Sequence, residues 1–425
     1  MFKFTDLSDA CVKCGKCRPN CTIFKISGDE VRSPRGFLEL IGAYSRGELK
    51  LDKSTKKIFE SCFLCTNCVD MCPNSIATDE MIEHIRLDIA QKYGIAWYKK
   101  MFFWLLRHRK IIDFCAKMGY IFQSCGFNIE KTANENPNMK AKFPIPMLKK
   151  ERLLPSAAKS SFLNSHTEFI DNGGTRTIGI FIGCMANYAY TDIGEGLLKI
   201  CKELKINAHL MKKQVCCAAP ALFTGDFATT EWSAKKNTAY FEEILKTCDA
   251  IICPEGTCSA MLKIDYERFF KAKGEDEWAK RANTVMSKLF LATEYFAKFT
   301  NLAEILEVKM ADKTKQTLVY HDPCHARKMQ GVWREPRVLL SKIFDIKNSG
   351  DETSCCGFGG VTMQSENYHL ARAAGISRAN TLSSSGATNL GAECSACKMQ
   401  LNNSLNLINA KLRCKNPIEL IAAAL

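Results

Sequence analysis

Eight of the 23 cysteines fall into two copies of one spacing, Cys11, Cys14, Cys17, Cys21 and Cys62, Cys65, Cys68, Cys72, the second followed by Pro73. Each run reads C-x2-C-x2-C-x3-C. Three thiolates at that spacing wrap one corner of a 4Fe-4S cubane, and the fourth reaches a second cubane. Cys11, Cys14, Cys17 and Cys72 are therefore expected to hold one cluster, and Cys62, Cys65, Cys68 and Cys21 the other. Zinc is the competing reading, but zinc takes two separated C-x2-C knuckles and leaves the third cysteine of each run as a surplus ligand. The first run has Thr22 where the second has Pro73, a change that alters the turn after the last ligand and no ligand itself. The chemistry implied is one-electron transfer.

A second constellation lies further along. Cys324 is followed by Cys355-Cys356-Gly357 and by Cys394 and Cys397, which form a C-x2-C pair. Five thiols carried at the ends of strands and loops can converge at one edge of an α/β sheet. A vicinal cysteine pair strains a single tetrahedral zinc, so a multi-iron cluster uses it better, with zinc and a redox dithiol as alternatives. Gly357, Gly359 and Gly360 allow backbone N–H groups to approach cluster sulfur. The same pattern occurs earlier: Cys184 precedes Cys324 by 140 residues, and Cys216, Cys217 and Cys258 precede Cys355, Cys356 and Cys397 by 139. This earlier copy departs from the later one, since Ala218 replaces the glycine and Cys253 stands five positions before Cys258. Cys253 is 141 residues from Cys394, out of step with its neighbours, and is retained as a further candidate ligand. His321-Asp322-Pro323-Cys324-His325 offers a proton relay or a hydrogen bond to sulfur, or a structural turn. Cys115, Cys125, Cys201, Cys248 and Cys414 occur singly and read as core residues.

The elements that carry these cysteines change character along the chain. Ser33-Pro34-Arg35-Gly36 opens a helix with Phe37, Leu40, Ile41 and Tyr44 on one face, Lys53–Glu60 reads as another, and residues 79–130 continue as helices with Met81, Ile82, Ile85 and Ile89 in phase. A bulky stretch from Trp97 to Arg109 follows, which suits a packing helix, a docking face or an interfacial membrane helix. Residues 131–175, with Pro137, Pro144, Pro146, Pro155 and Gly173-Gly174, read as a linker. From Thr177 the order becomes strand (Thr177–Ile182), helices (Gly194–Leu204, Thr229–Leu245), strand (Ala250–Cys253), then again strand (Thr317–Tyr320) and helices (Arg337–Phe344, Tyr368–Leu382), a duplicated α/β unit. The fold class expected is α/β with a helical N-terminal part, divided as 1–90, 91–175, 176–310 and 311–425.

With 425 residues, 46% hydrophobic and 24% charged, the chain can bury ordinary cores. Residues 1–9 have no apolar h-region, and no run approaches the ~18 apolar residues of a membrane span, the most notable cluster being Met101–Leu106. A reducing cytoplasm is the expected compartment, with peripheral placement on the inner membrane face open. The formal charge of +14 is spread without a basic block, so nucleic acid is not an expected partner. Each cubane with four thiolates carries roughly −2, which absorbs part of that charge. No G-x-G-x-x-G after a strand, no P-loop and no G-x-S-x-G elbow is present, so no nucleotide or flavin site is expected and the catalytic residues remain unassigned.

The combination of a helical two-cluster module and two cysteine-rich copies resembles the family of the iron-sulfur subunit of bacterial glycolate oxidase. Its relatives include the C subunit of anaerobic glycerol-3-phosphate dehydrogenase and heterodisulfide-reductase-type proteins. Cys11 to Cys21, Gly28-Asp29-Glu30 and Pro34-Arg35-Gly36 look most like the glycolate oxidase subunit, whereas His321 to His325, Cys355 to Gly360 and Pro417-Ile418-Glu419-Leu420 look like the lactate-utilisation and glycerol-phosphate members. The resemblance implies a helical ferredoxin-type domain followed by two CCG domains. It implies an electron-transfer subunit that takes electrons from an FAD-containing dehydrogenase subunit and passes them to membrane quinone, without oxidising substrate alone. It also implies a non-cubane 4Fe-4S cluster on Cys324, Cys355, Cys356, Cys394 and Cys397. The same transfer to Cys184, Cys216, Cys217 and Cys258 is weakened by Ala218 and the C-x4-C. Two other readings stay open: a disulfide- or quinone-reducing CCG site, and a cysteine-rich redox sensor or zinc scaffold.

Overall fold

A computed structural model describes residues 4–130, 137–144 and 148–425. Pro146 of the expected linker and residues 1–3 lie outside the described residues. The N-terminal part is built from helices Phe4–Asp9, Thr22–Ser27, Pro34–Ser45, Lys53–Phe59, Asn67–Asp70 and Thr78–Tyr93. Their starts follow from capping. Ser33 Oγ accepts from Gly36 N at 3.0 Å with Pro34 at the first helical position, and Asp52 accepts from Ser54 N and Thr55 N at 2.9 and 2.8 Å. Phe37 and Ile41 from one helix and Met81, Ile82 and Ile85 from another are buried together. The cysteine loops are thus held between helices, with no strand among the described residues before Phe127.

Two further helices, Trp97–Arg107 and Arg109–Gly126, form a hairpin on the outside of the molecule. The first buries Lys99, Phe103 and Leu106; the second buries no residue. Three short strands, β1 (Phe127–Ile129), β2 (Asn138–Ala141) and β3 (Leu154–Pro155), form an antiparallel sheet. Next come helix Phe162–Ser165 and β4 (Phe169–Ile170). The stretch expected to be a linker is therefore folded over its described part. Arg152 donates to Gln364 O at 2.8 Å and Leu153 N to Asn403 Oδ1 at 2.9 Å, while β4 pairs antiparallel with a strand of the next sheet. Strands of two to four residues are too short to show a period, and Pro155 sits at an edge, where proline is tolerated.

The remainder is a duplicated parallel α/β unit. The first sheet has the order β4-β6-β5-β7-β8, where β5 is Thr177–Ile180, β6 Asn207–Leu210, β7 Ala250–Cys253 and β8 Leu289–Leu291. The second has the order β10-β9-β11-β12, where β9 is Gln316–Tyr320, β10 Phe344–Lys347, β11 Asn389–Gly391 and β12 Cys414–Lys415. Apart from β4 the pairings are parallel in both, and the orders superpose strand for strand. The strand Ala-Ile-Ile-Cys at β7 is wholly buried, as a strand covered on both faces must be. In each copy the first strand lies between the second and third, so the chain leaves it in opposite directions at a topological switch point, where α/β sheets bind ligands. The copies are not separate bodies: one core cluster joins Ile178, Ile180 and Leu197 of the first to Leu318, Leu339 and Ile418 of the second.

Candidate metal centres

The strand order explains how distant cysteines meet. In copy one Cys184 follows β5, Cys216 and Cys217 follow β6, and Cys258 follows β7; in copy two Cys324 follows β9, Cys355 and Cys356 follow β10, and Cys394 and Cys397 follow β11. All therefore emerge at the carboxyl ends of adjacent parallel strands. Both sets open into one cavity of about 250 Å³, lined by Cys184, Cys216, Cys217 and Cys258 on one side and Cys324, Cys355, Cys356, Cys394 and Cys397 on the other. Its remaining walls are largely apolar, with Phe63, Phe102, Met185, Phe223 and Phe358 among them.

Within copy one, Cys217 Sγ lies 3.3 Å from Cys258 Sγ, and Cys184 interacts with Cys216. The Cys216 contact and burial push the Cys184 thiol well above its ordinary range. Cys217 and Cys258 are also held well above it, against downward pulls from Cys216 and Cys217 respectively, by burial and, at Cys217, by the Cys258 contact. In copy two, Cys355 interacts with Cys324 and Cys356, and Cys397 with Cys356 and Cys394. His321, Cys356 and Cys397 present ligand atoms within 4.8 Å of one another. None of the 23 cysteines is paired in a disulfide. Packed buried thiols cannot ionise together without a cation among them, and soft sulfur donors in this number fit iron-sulfur chemistry.

Backbone donors reach these sulfurs at matching places. Gly357 N donates to Cys355 Sγ at 3.3 Å, Ala218 N to Cys216 Sγ at 3.5 Å and Leu64 N to Cys62 Sγ at 3.4 Å. Each donor has positive φ, +85°, +67° and +51° respectively, so Ala218 takes the left-handed conformation without being glycine. Gly359 has a different use from the one expected. A Cβ there would lie 2.8 Å from Phe63 Cδ1 and from Met363 Cγ, so the missing side chain admits Phe63, which stands between Cys62 and Cys65.

The N-terminal cysteines fall into two groups. A cavity of about 30 Å³ is lined by Cys11, Cys14, Cys17, Cys68 and Cys72, and one of about 20 Å³ by Cys21, Cys62, Cys65 and Cys68. Cys14 is exposed, whereas Cys21 and Cys65 are buried. The Cys65 thiol interacts with Cys355, which brings the second group against copy two of the α/β unit. Arg86 is 3% exposed and binds this junction: its guanidinium donates to Cys62 O at 2.7 Å, Phe59 O at 3.1 Å and Phe223 O at 2.9 Å.

Family models match this layout. A 4Fe-4S dicluster domain covers residues 7–76, and a cysteine-rich domain, CCG, covers residues 178–263 and again 318–402. The chain is an iron-sulfur protein with a dicluster domain and two CCG domains. It is 27% identical over 361 residues to the probable glycolate oxidase iron-sulfur subunit of Bacillus subtilis strain 168, covering 83% of this chain and 79% of that one. It is 24% identical over 404 residues to a fumarate reductase (CoM/CoB) subunit of Methanothermobacter marburgensis, covering 93% and 68%. Lactate utilization protein A of Bacillus cytotoxicus is 25% identical over 247 residues, covering 57% and 98%.

The structure separates the remaining candidates. Cys253 is fully buried at the end of β7, is absent from the cavity wall between the CCG domains, and its thiol faces Glu255 O at 3.6 Å. His321 is buried and accepts from Arg378 Nε at Nδ1, 3.2 Å away; Nε2 has no hydrogen bond of ordinary geometry among the described residues, and the ring interacts with the Cys356 thiol. His325 stacks on Phe223, and its Nδ1 lies 3.4 Å from Cys324 Sγ. Burial opposes its protonation, but the Cys324 sulfur beside it prevails and raises it to about 9. Asp322 is engaged by Arg327 at 2.5 Å and Arg337 at 2.6 Å. Cys201, Cys248 and Cys414 are buried as expected of core residues; Cys115 and Cys125 are not, since both lie exposed on the outer helix of the hairpin. Sequence reasoning missed Arg86, Thr257 and Glu255. Thr257 Oγ1 sits 3.3 Å from Cys394 Sγ, and Glu255 lines the CCG cavity.

Proposed function

We propose that this chain is the electron-transfer subunit of an FAD-linked 2-hydroxyacid dehydrogenase complex, of the glycolate or lactate type, and that it passes electrons from the flavin subunit towards membrane quinone. The relatives indicate an iron-sulfur subunit of an oxidoreductase complex, with other subunits as its partners. The observation that carries the finer reading is the unbroken succession of thiol sets. The group with exposed Cys14 shares Cys68 with the next group, and that group touches Cys355 through Cys65. In this reading Cys11, Cys14, Cys17 and Cys72 hold the cluster nearest the donor, Cys62, Cys65, Cys68 and Cys21 the next, and the CCG cysteines the last. The units are 1–90, 91–175, 176–310 and 311–425.

Bound clusters supply one-electron transfer; the chain supplies position and charge balance. Arg86 sets a buried positive charge beside Cys62, and the N–H groups of Leu64, Ala218 and Gly357 point at sulfur, so added electrons meet fixed donors. Peripheral membrane placement accords with the helical hairpin. Trp97 is 73% and Phe114 64% exposed, with Phe102, Trp104, Ile121 and Phe122 also exposed, and residues 97–126 contain six Lys or Arg and one acid. No helix among the described residues is long and apolar enough to cross a membrane. A second reading, in which the CCG domains themselves reduce a quinone or disulfide, is supported by the apolar cavity between the two cysteine sets. The test is to reduce the cluster-replete chain anaerobically and add a soluble quinone analogue. Reoxidation that is lost in Cys355→Ala supports an exit through the CCG domains; reoxidation unchanged in that variant contradicts it.

A further inference from the structure

Copy one lacks the fifth cysteine of copy two, and a carboxylate stands in its place. At the displacement of 139 residues that pairs Cys216, Cys217 and Cys258 with Cys355, Cys356 and Cys397, the counterpart of Cys394 is Glu255 and that of Cys253 is Ala392. Backbone geometry gives the same equivalence without counting. Glu255 and Cys394 are both extended residues, at φ −127°, ψ 107° and φ −165°, ψ 121°, and each caps the helix that follows the third parallel strand of its copy. Both line the cavity between the CCG domains, and Cys253 does not.

We infer that Glu255 is the fifth ligand of a cluster in copy one, alongside Cys184, Cys216, Cys217 and Cys258. This rests on the reading of the CCG cysteines as cluster ligands. Glu255 Cγ and Cys258 Sγ both lie 3.4 Å from the point where a Cβ on Gly183 would stand, so these two side chains meet beside the backbone that leads into Cys184. Glu255 is 4% exposed. One carboxylate oxygen accepts from Ser395 N at 2.6 Å and the other from Ser395 Oγ. Each oxygen offers two acceptor positions, so both bonds leave one free for iron. A carboxylate is a harder donor than a thiolate, so the two CCG clusters are unequal, and the iron on Glu255 differs from the other irons of its cluster.

A purely structural role, holding Ser395 across the two copies, makes different predictions. Iron and acid-labile sulfide are counted in anaerobically purified Cys184→Ala, Glu255→Gln, Glu255→Cys and Cys253→Ala, with Mössbauer spectra of each. Glutamine keeps the size and the acceptor for Ser395 but loses the anion. The inference expects Cys184→Ala and Glu255→Gln to lose similar iron, about a quarter if the four sites are equally filled. It expects Glu255→Cys to keep its iron, with the spectrum of copy one moving towards that of copy two, and Cys253→Ala to match the parent. Full iron and an unchanged spectrum in Glu255→Gln beside a deficit in Cys184→Ala would overturn the role of Glu255 alone. No deficit in Cys184→Ala would overturn the reading of copy one as a cluster site, and with it the inference. If Glu255→Gln also lowers the melting temperature, rescue of iron by Glu255→Cys still separates ligand from cap, because a thiol cannot replace two carboxylate bonds to Ser395.

Discussion

Replacing Arg86 by methionine removes a guanidinium that joins the dicluster domain to the first CCG domain through three backbone carbonyls. The side chain is 3% exposed and donates to Phe59, Cys62 and Phe223 at 3.1, 2.7 and 2.9 Å. Methionine fills most of the volume, so the loss is chiefly polar. Each buried carbonyl left without a partner costs about 1–3 kcal/mol, partly offset because a charge no longer has to be buried. The net expected is about 3–5 kcal/mol, between the value of one such bond and the sum of three. For a cooperative unit of about 150–250 residues this lowers the melting midpoint by about 6–20 °C. The charge has a second consequence. Without it, an electron added to a cluster on Cys62, Cys65, Cys68 and Cys21 is less well compensated, so that cluster becomes harder to reduce while one on Cys11, Cys14, Cys17 and Cys72 is less affected. Anaerobic calorimetry of the holo-protein and an EPR-monitored redox titration read the two effects separately. A midpoint within about 2 °C of the parent and an unchanged potential would refute both the clamp and its electrostatic role.

Cys72→Ser is expected to alter the EPR signal of the cluster on Cys11, Cys14 and Cys17 and to spare that on Cys62, Cys65 and Cys68, and the opposite pattern would reject cross-ligation. Cys355→Ala should release more iron and sulfide than Cys253→Ala, since Cys355 faces the cavity and Cys253 does not; equal release would make Cys253 a ligand. Trp104→Glu, on the exposed face of the hairpin, should leave iron unchanged while weakening sedimentation with anionic vesicles, whereas a collapse in folded yield would make Trp104 a packing residue. Burial raises the Asp265 carboxyl to about 7 against the pull of His325 and Arg268, whereas an unfolded aspartate titrates near about 3.9. The folded chain therefore keeps a proton that the unfolded chain releases, so this contribution to stability is full below about 4 and is lost as pH rises through about 7. Asp265→Asn should flatten the fall in melting temperature across that window, and an unchanged slope would reject it.

The cysteine spacings were legible because ligand geometry is written into neighbouring positions. The duplicated strands were legible for a similar reason: their apolar runs are local, as at Ala250–Cys253. What required the structure is long-range or lacks a residue-type signal. Arg86 meets Phe223 across 137 residues, Phe63 fills the space that Gly359 leaves, and neither is marked by a motif. Glu255 does carry a signal in the repeat, because Cys253 is out of step by two positions and the residue in step is an acid. The short strands β1 to β4 lie in a proline-punctuated stretch, where pattern is weakest and tertiary pairing decides. Cys115 and Cys125 look like core cysteines by type; they are exposed because their helix buries nothing.

Abstraction of hydride from a 2-hydroxyacid needs an acceptor that takes two electrons and releases them singly, which is flavin chemistry, whereas clusters take one electron at a time. The most direct measurement is therefore the visible absorption of the purified, cluster-replete chain under anaerobic conditions, with glycolate or lactate, before and after addition of an FAD-containing dehydrogenase subunit. The account predicts no bleaching with substrate alone and bleaching once the flavoprotein is present. Bleaching by glycolate or lactate in the absence of any flavoprotein would contradict it.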